Sequence, residues 1–420
     1  MPSKWRWVLS HDGFRRYFAN TGWMFGGQMF SLLVSFFIGA WLARYLGPEN
    51  YGVLNYALAF AGLFGFIASL GIDGVLSREI VKFTDKQDSL LGTSFFLKLL
   101  GGSLAFALVV AFTLILESNF LTRLLIILFA LSFILQSIGV IGNFFQAQVQ
   151  ARKIIKTQLI AMVITSLLKI ALILMHLGVI WLMLIYVLDA LWSGLGLIIA
   201  YRQAGLKILN WKFDRRLAVL ILKDSWPLML SGAATFIYMK IDQVMIGRAL
   251  NAESVGLYAA AIKLSEVWYF IPSIICTSLF PAIVNARQTS LETYRRRLKN
   301  LYLLMGLLAL AIAMVISLAA QPLVAWLFGS TYALSAPILQ IYIWSGIGIF
   351  IGSAVNQYLI AENLVKTVFF FSILGMIVNV GLNLVLIPQI GLLGAALASL
   401  ISYVAMPALI LLYDKFLRKK

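Results

Sequence analysis

One cysteine, Cys276, and two histidines, His11 and His176, are all that 420 residues contain of these types. No intramolecular disulfide is possible, and a lone thiol in an apolar run reads as a small core residue. Neither H-E-x-x-H nor a cysteine cluster occurs, so the sequence carries no metal-ligand spacing and implies no cofactor. Acidic residues are also few, 16 against 33 Lys+Arg. No carboxylate pair has the spacing that general acid–base catalysis uses, and the longest outer loop, Gln321 to Pro337, has no carboxylate. A G-x-x-x-x-G-K-[ST] run is missing too, which excludes ATP hydrolysis through a P-loop.

Apolar side chains, by contrast, make up 62% of the chain, where water-soluble domains hold about half. An all-α membrane protein is the expected fold class, because ~20 apolar residues in a helix cross ~30 Å of hydrocarbon. Charge, Pro and Gly divide the apolar runs into Trp23–Leu42, Val53–Ile72, Leu91–Leu116, Leu124–Phe145, Leu159–Leu177 and Val179–Tyr201. After a basic stretch they resume as Leu228–Leu250, Val255–Val284, Leu301–Ala320, Ile338–Ile360, Val368–Ile387 and Leu392–Tyr413, twelve spans in all. Pro272 and Pro407 predict kinks in the eighth and twelfth.

Cytoplasmic loops carry the Lys/Arg excess of a membrane protein. With the N-terminus inside, alternation puts 26 cations on the cytoplasmic side and three, Arg44, Arg123 and Arg248, on the outer side. Twelve spans with both termini cytoplasmic, in a cell (plasma or inner) membrane, follow as the expectation. The formal charge of +17 then reflects topology and anionic membrane lipids, not nucleic acid. Trp5, Trp7, Phe14 and four cations at the start fit an interfacial helix or an ordinary basic flank. The first span is too long for a cleaved signal.

The most informative pattern is internal. Arg44-Tyr-Leu46-Gly-Pro-Glu49-Asn-Tyr-Gly52 and Arg248-Ala-Leu250-Asn-Ala-Glu253-Ser-Val-Gly256 both read R-x-L-x-x-E-x-x-G, 204 residues apart. Each copy sits between the first two helices of a six-helix half, so the register predicts duplication. Six is even, so the halves insert alike and are expected to be related by a pseudo-two-fold axis along the membrane normal. This divides the chain into a six-helix lobe at 1–201, a cytoplasmic linker at 202–226 and a second lobe at 227–420.

The stretch Asn20 to Lys82 with its Ala43-Arg44-Tyr45-Leu46-Gly47-Pro48-Glu49-Asn50-Tyr51-Gly52, and Met239-Lys240-Ile241-Asp242-Gln243-Val244-Met245-Ile246-Gly247-Arg248 running on to Glu266, resemble the Wzx-like polysaccharide transporters. That group shares a superfamily with lipid II flippases and multidrug and toxin extruders. The resemblance implies a MATE-like flippase fold and transport of undecaprenyl-diphosphate-linked oligosaccharide from the cytoplasmic to the outer leaflet by alternating access of the two lobes, as in O-antigen or other polysaccharide biosynthesis. Implied partners are the lipid-linked oligosaccharide, membrane lipids, and the glycosyltransferases and polymerase of the same pathway, with the chain itself a monomer.

Ionisable groups at mid-span are costly, about 2.5–3.5 kcal/mol each on insertion scales, so they face a wet cavity or one another. Seven occur: Lys98, Lys169, Asp189, Lys240, Asp242, Lys263 and Glu266. With Arg44 and Arg248 at the outer ends they make a net cationic set, suited to a diphosphate. We therefore assign Lys98, Lys169, Lys240, Lys263, Arg44 and Arg248 to cargo binding in a cationic cavity between the lobes, and Asp242, Asp189 and Glu266 to ion coupling. Lys240 and Asp242, two apart, point to different sides and cannot pair locally; a structural alternative stands beside each of the others. Lys263 and Glu266, three apart, can neutralise each other; Lys169 and Asp189 can pair across neighbouring helices; Lys98 can snorkel; the arginines can anchor at the interface. Gly348-x-x-x-Gly352 on the tenth span is expected to serve close helix packing.

Without a P-loop, the drive is expected to come from an ion gradient and the membrane potential as in a secondary transporter, about 2.3 kcal/mol per charge per 100 mV. A membrane enzyme acting on the same lipid carriers is disfavoured by the lack of catalytic acids. A drug or metabolite antiporter and a lipid II flippase remain the alternatives.

Overall fold

The computed structural model describes the backbone of residues 12–362 and 364–417, all of it helix, turn or loop. Trp5 and Trp7, and the side chain of Phe14, fall outside the described residues. The helices are α1 (Asp12–Gly62), α2 (Gly65–Ser69), α3 (Ile72–Lys82), α4 (Gln87–Leu116), α5 (Phe120–Leu135), α6 (Val140–Ala147), α7 (Ala151–Leu174) and α8 (Val179–Gln203). They continue as α9 (Arg215–Ala249), α10 (Ala252–Glu266), α11 (Phe270–Thr289), α12 (Leu291–Leu318), α13 (Ala320–Phe328), α14 (Ser335–Tyr342), α15 (Ser345–Ala361), α16 (Val365–Ile390) and α17 (Leu392–Leu417).

Among the described residues, eleven helical stretches are long and apolar enough to cross a membrane. Twelve spans were expected; the first two run on as one stretch, Gly22–Gly62, bent at Gly47, where φ 72 and ψ 168 break the helix ahead of Pro48. Leu114, Ile115, Phe120, Leu318 and Trp326 lie exposed on the helix surfaces. Large side chains facing outward suit lipid, not water, as the surrounding solvent.

Helix starts are set by side-chain caps. Asn119, Asn251 and Ser290 each accept a hydrogen bond from the backbone N–H three residues on, opening α5, α10 and α12. Several spans are broken in the middle, and the breaks repeat. The helix containing the second span is interrupted after Gly62, and its counterpart after Glu266, again 204 residues apart. The third spans begin at Gln87 and Leu291 with the same offset, and the fourth are broken at 136–139 and 343–344. The eighth span was expected to kink at Pro272; the interruption falls at Val267–Tyr269, leaving Pro272 in the first turn of α11, where its missing N–H costs no bond. Pro407 lies within α17.

The chain forms two compact units. One holds the described residues up to Gly39 with Phe60–Ala233; the other holds Ala40–Ala59 with Ala234 to the C-terminal end. The core of the first gathers Ile72, Leu76, Leu90, Val140, Phe145 and Tyr201. That of the second gathers Cys276, Tyr294, Met305, Phe350 and Tyr358. The basic segment after α8 is folded onto the first unit. The Trp211 indole N–H donates to the Tyr201 hydroxyl at 3.1 Å, the Asp214 N–H donates to Thr93 Oγ1 at 2.9 Å, and a Cβ on Gly92 would stand 2.6 Å from the Lys212 backbone.

Candidate functional site

The mid-span charges settle into separate clusters, each set by which helices pack together. In the first unit, Lys98 of α4 has a side chain only 7% exposed and donates to Asp73 Oδ1 of α3 at 2.8 Å. Asn143 of α6 donates to the same oxygen at 2.7 Å, so three helices meet on one carboxylate whose side chain is half exposed. Lys98 thus neither snorkels nor stands alone. Farther along, Lys169 of α7 lies over the Tyr186 ring of α8, 4.7 Å from its centroid, a cation–π contact. Asp189 of α8 acts on Lys169 through its charge and accepts from the Thr165 hydroxyl at 3.0 Å.

In the second unit, Lys240 of α9 donates to both carboxylate oxygens of Glu266, on α10, at 3.1 Å. Glu266 thus has a partner on another helix; Lys263, three residues before it on α10, is half buried. Asp242, two residues beyond Lys240 and so on another face of α9, is 1% exposed. Its partners are the Tyr258 hydroxyl at 2.6 Å, the Ser399 hydroxyl at 3.4 Å and the Gln243 N–H at 2.8 Å. Ser402, Asn379 and Asn383 extend these buried polar groups across α16 and α17: Asn379 donates to Ser402 Oγ and Asn383 to Asn379 Oδ1, each at 3.1 Å. The Asn383 carbonyl oxygen is buried without a partner.

Arg44 and Arg248 are both exposed, Arg44 close to Gly329. With the half-exposed Asp73 added, the mid-span set of four lysines and three carboxylates becomes neutral, and its surplus rests on these two arginines. Nine polar residues of these clusters were not singled out by the sequence: Asp73, Asn143, Thr165, Tyr186, Tyr258, Asn379, Asn383, Ser399 and Ser402. A search for amides at i, i+4 within an apolar run would have found Asn379 and Asn383.

Outside the spans, Arg78 of α3 is bonded to Asp224 and, at 2.9 Å, to Glu79; these hydrogen bonds, Asp224 first, hold its guanidinium above the usual arginine range. At the other basic face, Arg287 grips Glu362 through two bonds of 2.8 and 2.6 Å, and the Tyr294 hydroxyl donates to the same carboxylate at 2.9 Å. A cavity of about 330 Å³ opens within the second unit among Tyr238, Gly352, Ser353, Asn356, Phe371 and Tyr403. Gly348 borders it where α15 meets α17 backbone to backbone, since a Cβ there would stand 2.1 Å from the Tyr403 carbonyl oxygen. Among the described residues no group of three His, Cys, Asp or Glu side chains is placed to hold a metal.

Comparison with known proteins completes the description. A relative from Haloferax volcanii, described as a probable flippase AglR, is 27% identical over 180 residues, 39% of this chain and 35% of the relative; the match thus spans about a third of that protein's length. Two solved structures share the fold at 16% identity. The lipid II flippase MurJ in an inward closed conformation superposes with a TM-score of 0.75 over 93% of this chain and 86% of its own. An inward-facing multidrug resistance MATE family transporter of the MOP superfamily gives 0.73 over 92% and 94%. Residues 17–287, well over half the chain, match the profile of the family described as polysaccharide biosynthesis protein. The chain belongs to that family, and its long apolar helices are those of a multi-pass membrane protein.

Proposed function

We propose that the protein carries an undecaprenyl-diphosphate-linked oligosaccharide from the cytoplasmic to the outer leaflet of the cell membrane, both termini being cytoplasmic, by alternating access. The observation that carries this reading is the family match over residues 17–287. Glycosyltransferases and a polymerase would supply and consume such a cargo, and the chain would act as a monomer.

Chemistry supports a division of labour among the charged groups. A diphosphate needs cations that can exchange partners. Lys240, about a quarter exposed and hydrogen-bonded to Glu266, is more open than Lys98, whose side chain is 7% exposed. Arg44 and Arg248 offer planar forks at the outer ends. Lys98, Lys169 and Lys263 would contribute field more than direct contact, Lys98 because Asp73 and Asn143 already share its site.

Asp242 is assigned the coupling proton. Its carboxylate is fully buried and its bonded partners carry no charge, so a bound proton or cation would relieve the cost of holding a charge there. Asp189 and Glu266 are the secondary carriers. Outward movement of anionic cargo gains about 2.3 kcal/mol per charge for each 100 mV of inside-negative potential.

Deletion of the gene tests the reading. Lipid-linked oligosaccharide accumulating on the cytoplasmic side, with surface polysaccharide lost and the cell wall intact, is the expected outcome. Arrest of wall synthesis would overturn it in favour of lipid II, and hypersensitivity to small toxic molecules with normal surface glycan in favour of an antiporter.

A further inference from the structure

Gly52 and Gly256 close the two copies of the R-x-L-x-x-E-x-x-G motif, and in the folded chain they meet. A Cβ on Gly52 would stand 1.7 Å from the Ala252 carbonyl oxygen and 2.8 Å from the Gly256 nitrogen. A Cβ on Gly256 would stand 1.9 Å from the Pro48 carbonyl oxygen and 3.0 Å from the Gly52 nitrogen. Pro48 and Ala252 are themselves 204 residues apart, as the glycines are. Each copy therefore contacts in the other the residue that the other contacts in it, the mark of a self-complementary two-fold contact. Everything in it, residues 40–59 and 247–256, belongs to the second unit.

The surroundings complete the contact. Gly247 faces the Tyr56 ring, at 2.3 Å from a Cβ position, and Ala43 and Val255 are fully buried. Tyr332, also fully buried, donates its hydroxyl to the Ala43 carbonyl at 2.7 Å and sets its ring edge-on to Tyr51 at 6.3 Å. Leu128, the residue 204 before Tyr332, has no hydroxyl, so the clasp is asymmetric while the glycine contact is symmetric.

Two features make this a contact able to part. Residues 40–59 belong to the second unit although the chain on both sides of them belongs to the first. The bend at Gly47 (φ 72) lies beside the contact, in a backbone region that favours glycine, and supplies a pivot.

We propose that the two motif copies form a self-complementary latch on the side assigned as outer, closed here and opened in the outward-accessible state. Glycine is required at both positions because any Cβ drives into a carbonyl oxygen that cannot move aside. Tyr332 sets how firmly the latch is held.

The test needs no knowledge of the cargo, so its failure leaves the transport reading standing. In a Cys276→Ser background, Val255→Cys provides a thiol inside the contact. Intact cells are treated with a membrane-impermeant maleimide. Slow labelling is expected in this parent, rising at least about tenfold when Gly52→Ala or Gly256→Ala is added, the scale of an overpacked contact. Tyr332→Phe removes one hydrogen bond, adds no bulk and is expected to raise labelling several-fold. It decides the matter if the glycine variants fail to reach the membrane. Labelling equally slow in every variant that reaches the membrane, or labelling only in inverted vesicles, would overturn the proposal.

Discussion

Replacing Lys240 by Met and Glu266 by Gln, singly and together, separates what this pair does for the fold from what it does for the cargo. Lys240 Nζ stands 3.1 Å from both carboxylate oxygens, and the side chains are 27% and 25% exposed. An exposed ion pair contributes about 0.2–1 kcal/mol, while breaking a buried one costs about 3–5 kcal/mol. Quarter exposure places each single variant between these limits, at about 2 kcal/mol, because the remaining charge stays desolvated without its partner. The double variant removes both charges and is expected within about 1 kcal/mol of the parent, a coupling of about 3 kcal/mol. Stability is followed by thermal unfolding of the solubilised protein, and export by surface polysaccharide in cells lacking the gene. Stability should recover in the double variant and export should not, since the cargo phosphate has lost the ammonium it would take over from Glu266. A stable double variant exporting at the parent rate refutes the cargo role of Lys240. Single variants as stable as the parent refute the pair itself.

Asp242→Asn retains the shape of a protonated carboxyl and is expected to lower stability by no more than about 1 kcal/mol, while export loses its response to a transmembrane pH gradient; an unchanged response removes Asp242 from coupling. Lys98→Met leaves Asp73 with Asn143 as its remaining bonded partner, and because Asp73 is half exposed the loss should be about 1–2 kcal/mol, whereas Asp73→Leu strands a buried ammonium and should cost about 3 kcal/mol or more. Comparing their unfolding temperatures checks the asymmetry. Gly92→Ala places a methyl against the Lys212 backbone, which cannot yield, so trypsin should cut after Lys207 or Lys212 faster than in the parent.

The spans were legible because one force dominates them: a bilayer has no water for exposed amides, so apolar runs and loop charge declare the helices. The repeat was legible from four residues in nine, and the recurrent helix breaks after Gly62 and Glu266 uphold the same register. The breaks themselves carry no hydropathy signal, since Val267, Trp268 and Tyr269 are as apolar as the helices they separate. The ionisable groups were also legible as residues, but not as pairs. Hydropathy placed Lys98 on the third span and left Asp73 just beyond the second, and which rotations bring them to 2.8 Å depends on packing that no single helix encodes. Asn379, Asn383, Ser399 and Ser402 escaped notice for a different reason. Neutral polar groups cost little in a sequence-based span count, yet buried together they make the polar surroundings in which Asp242 is tolerated.

Duplication accounts for the scaffold and not for the chemistry. The positions 204 residues before Lys240, Asp242, Lys263 and Glu266 are Phe36, Ile38, Ala59 and Gly62, and the position 204 after Lys98 is Tyr302. None of these buried charges has a charged counterpart, whereas Arg44 with Arg248 and Gly52 with Gly256 are matched. The paired glycines belong to a contact that both halves share. Of the groups proposed to meet the cargo or the coupling ion, the two arginines are matched and the mid-span charges are not, and an asymmetric mid-span set would give a headgroup one preferred pose where a symmetric set would give two. A lysine at the equivalent place in the first half should then be unable to substitute. Phe36→Lys in the Lys240→Met background is expected to leave export abolished, because residue 36 has Gly62 at the position where Lys240 has Glu266 and so gains no carboxylate from that position. Restoration of export by Phe36→Lys would mean that the field of the charge matters and its placement does not, and would return the argument to a diffuse cationic lumen.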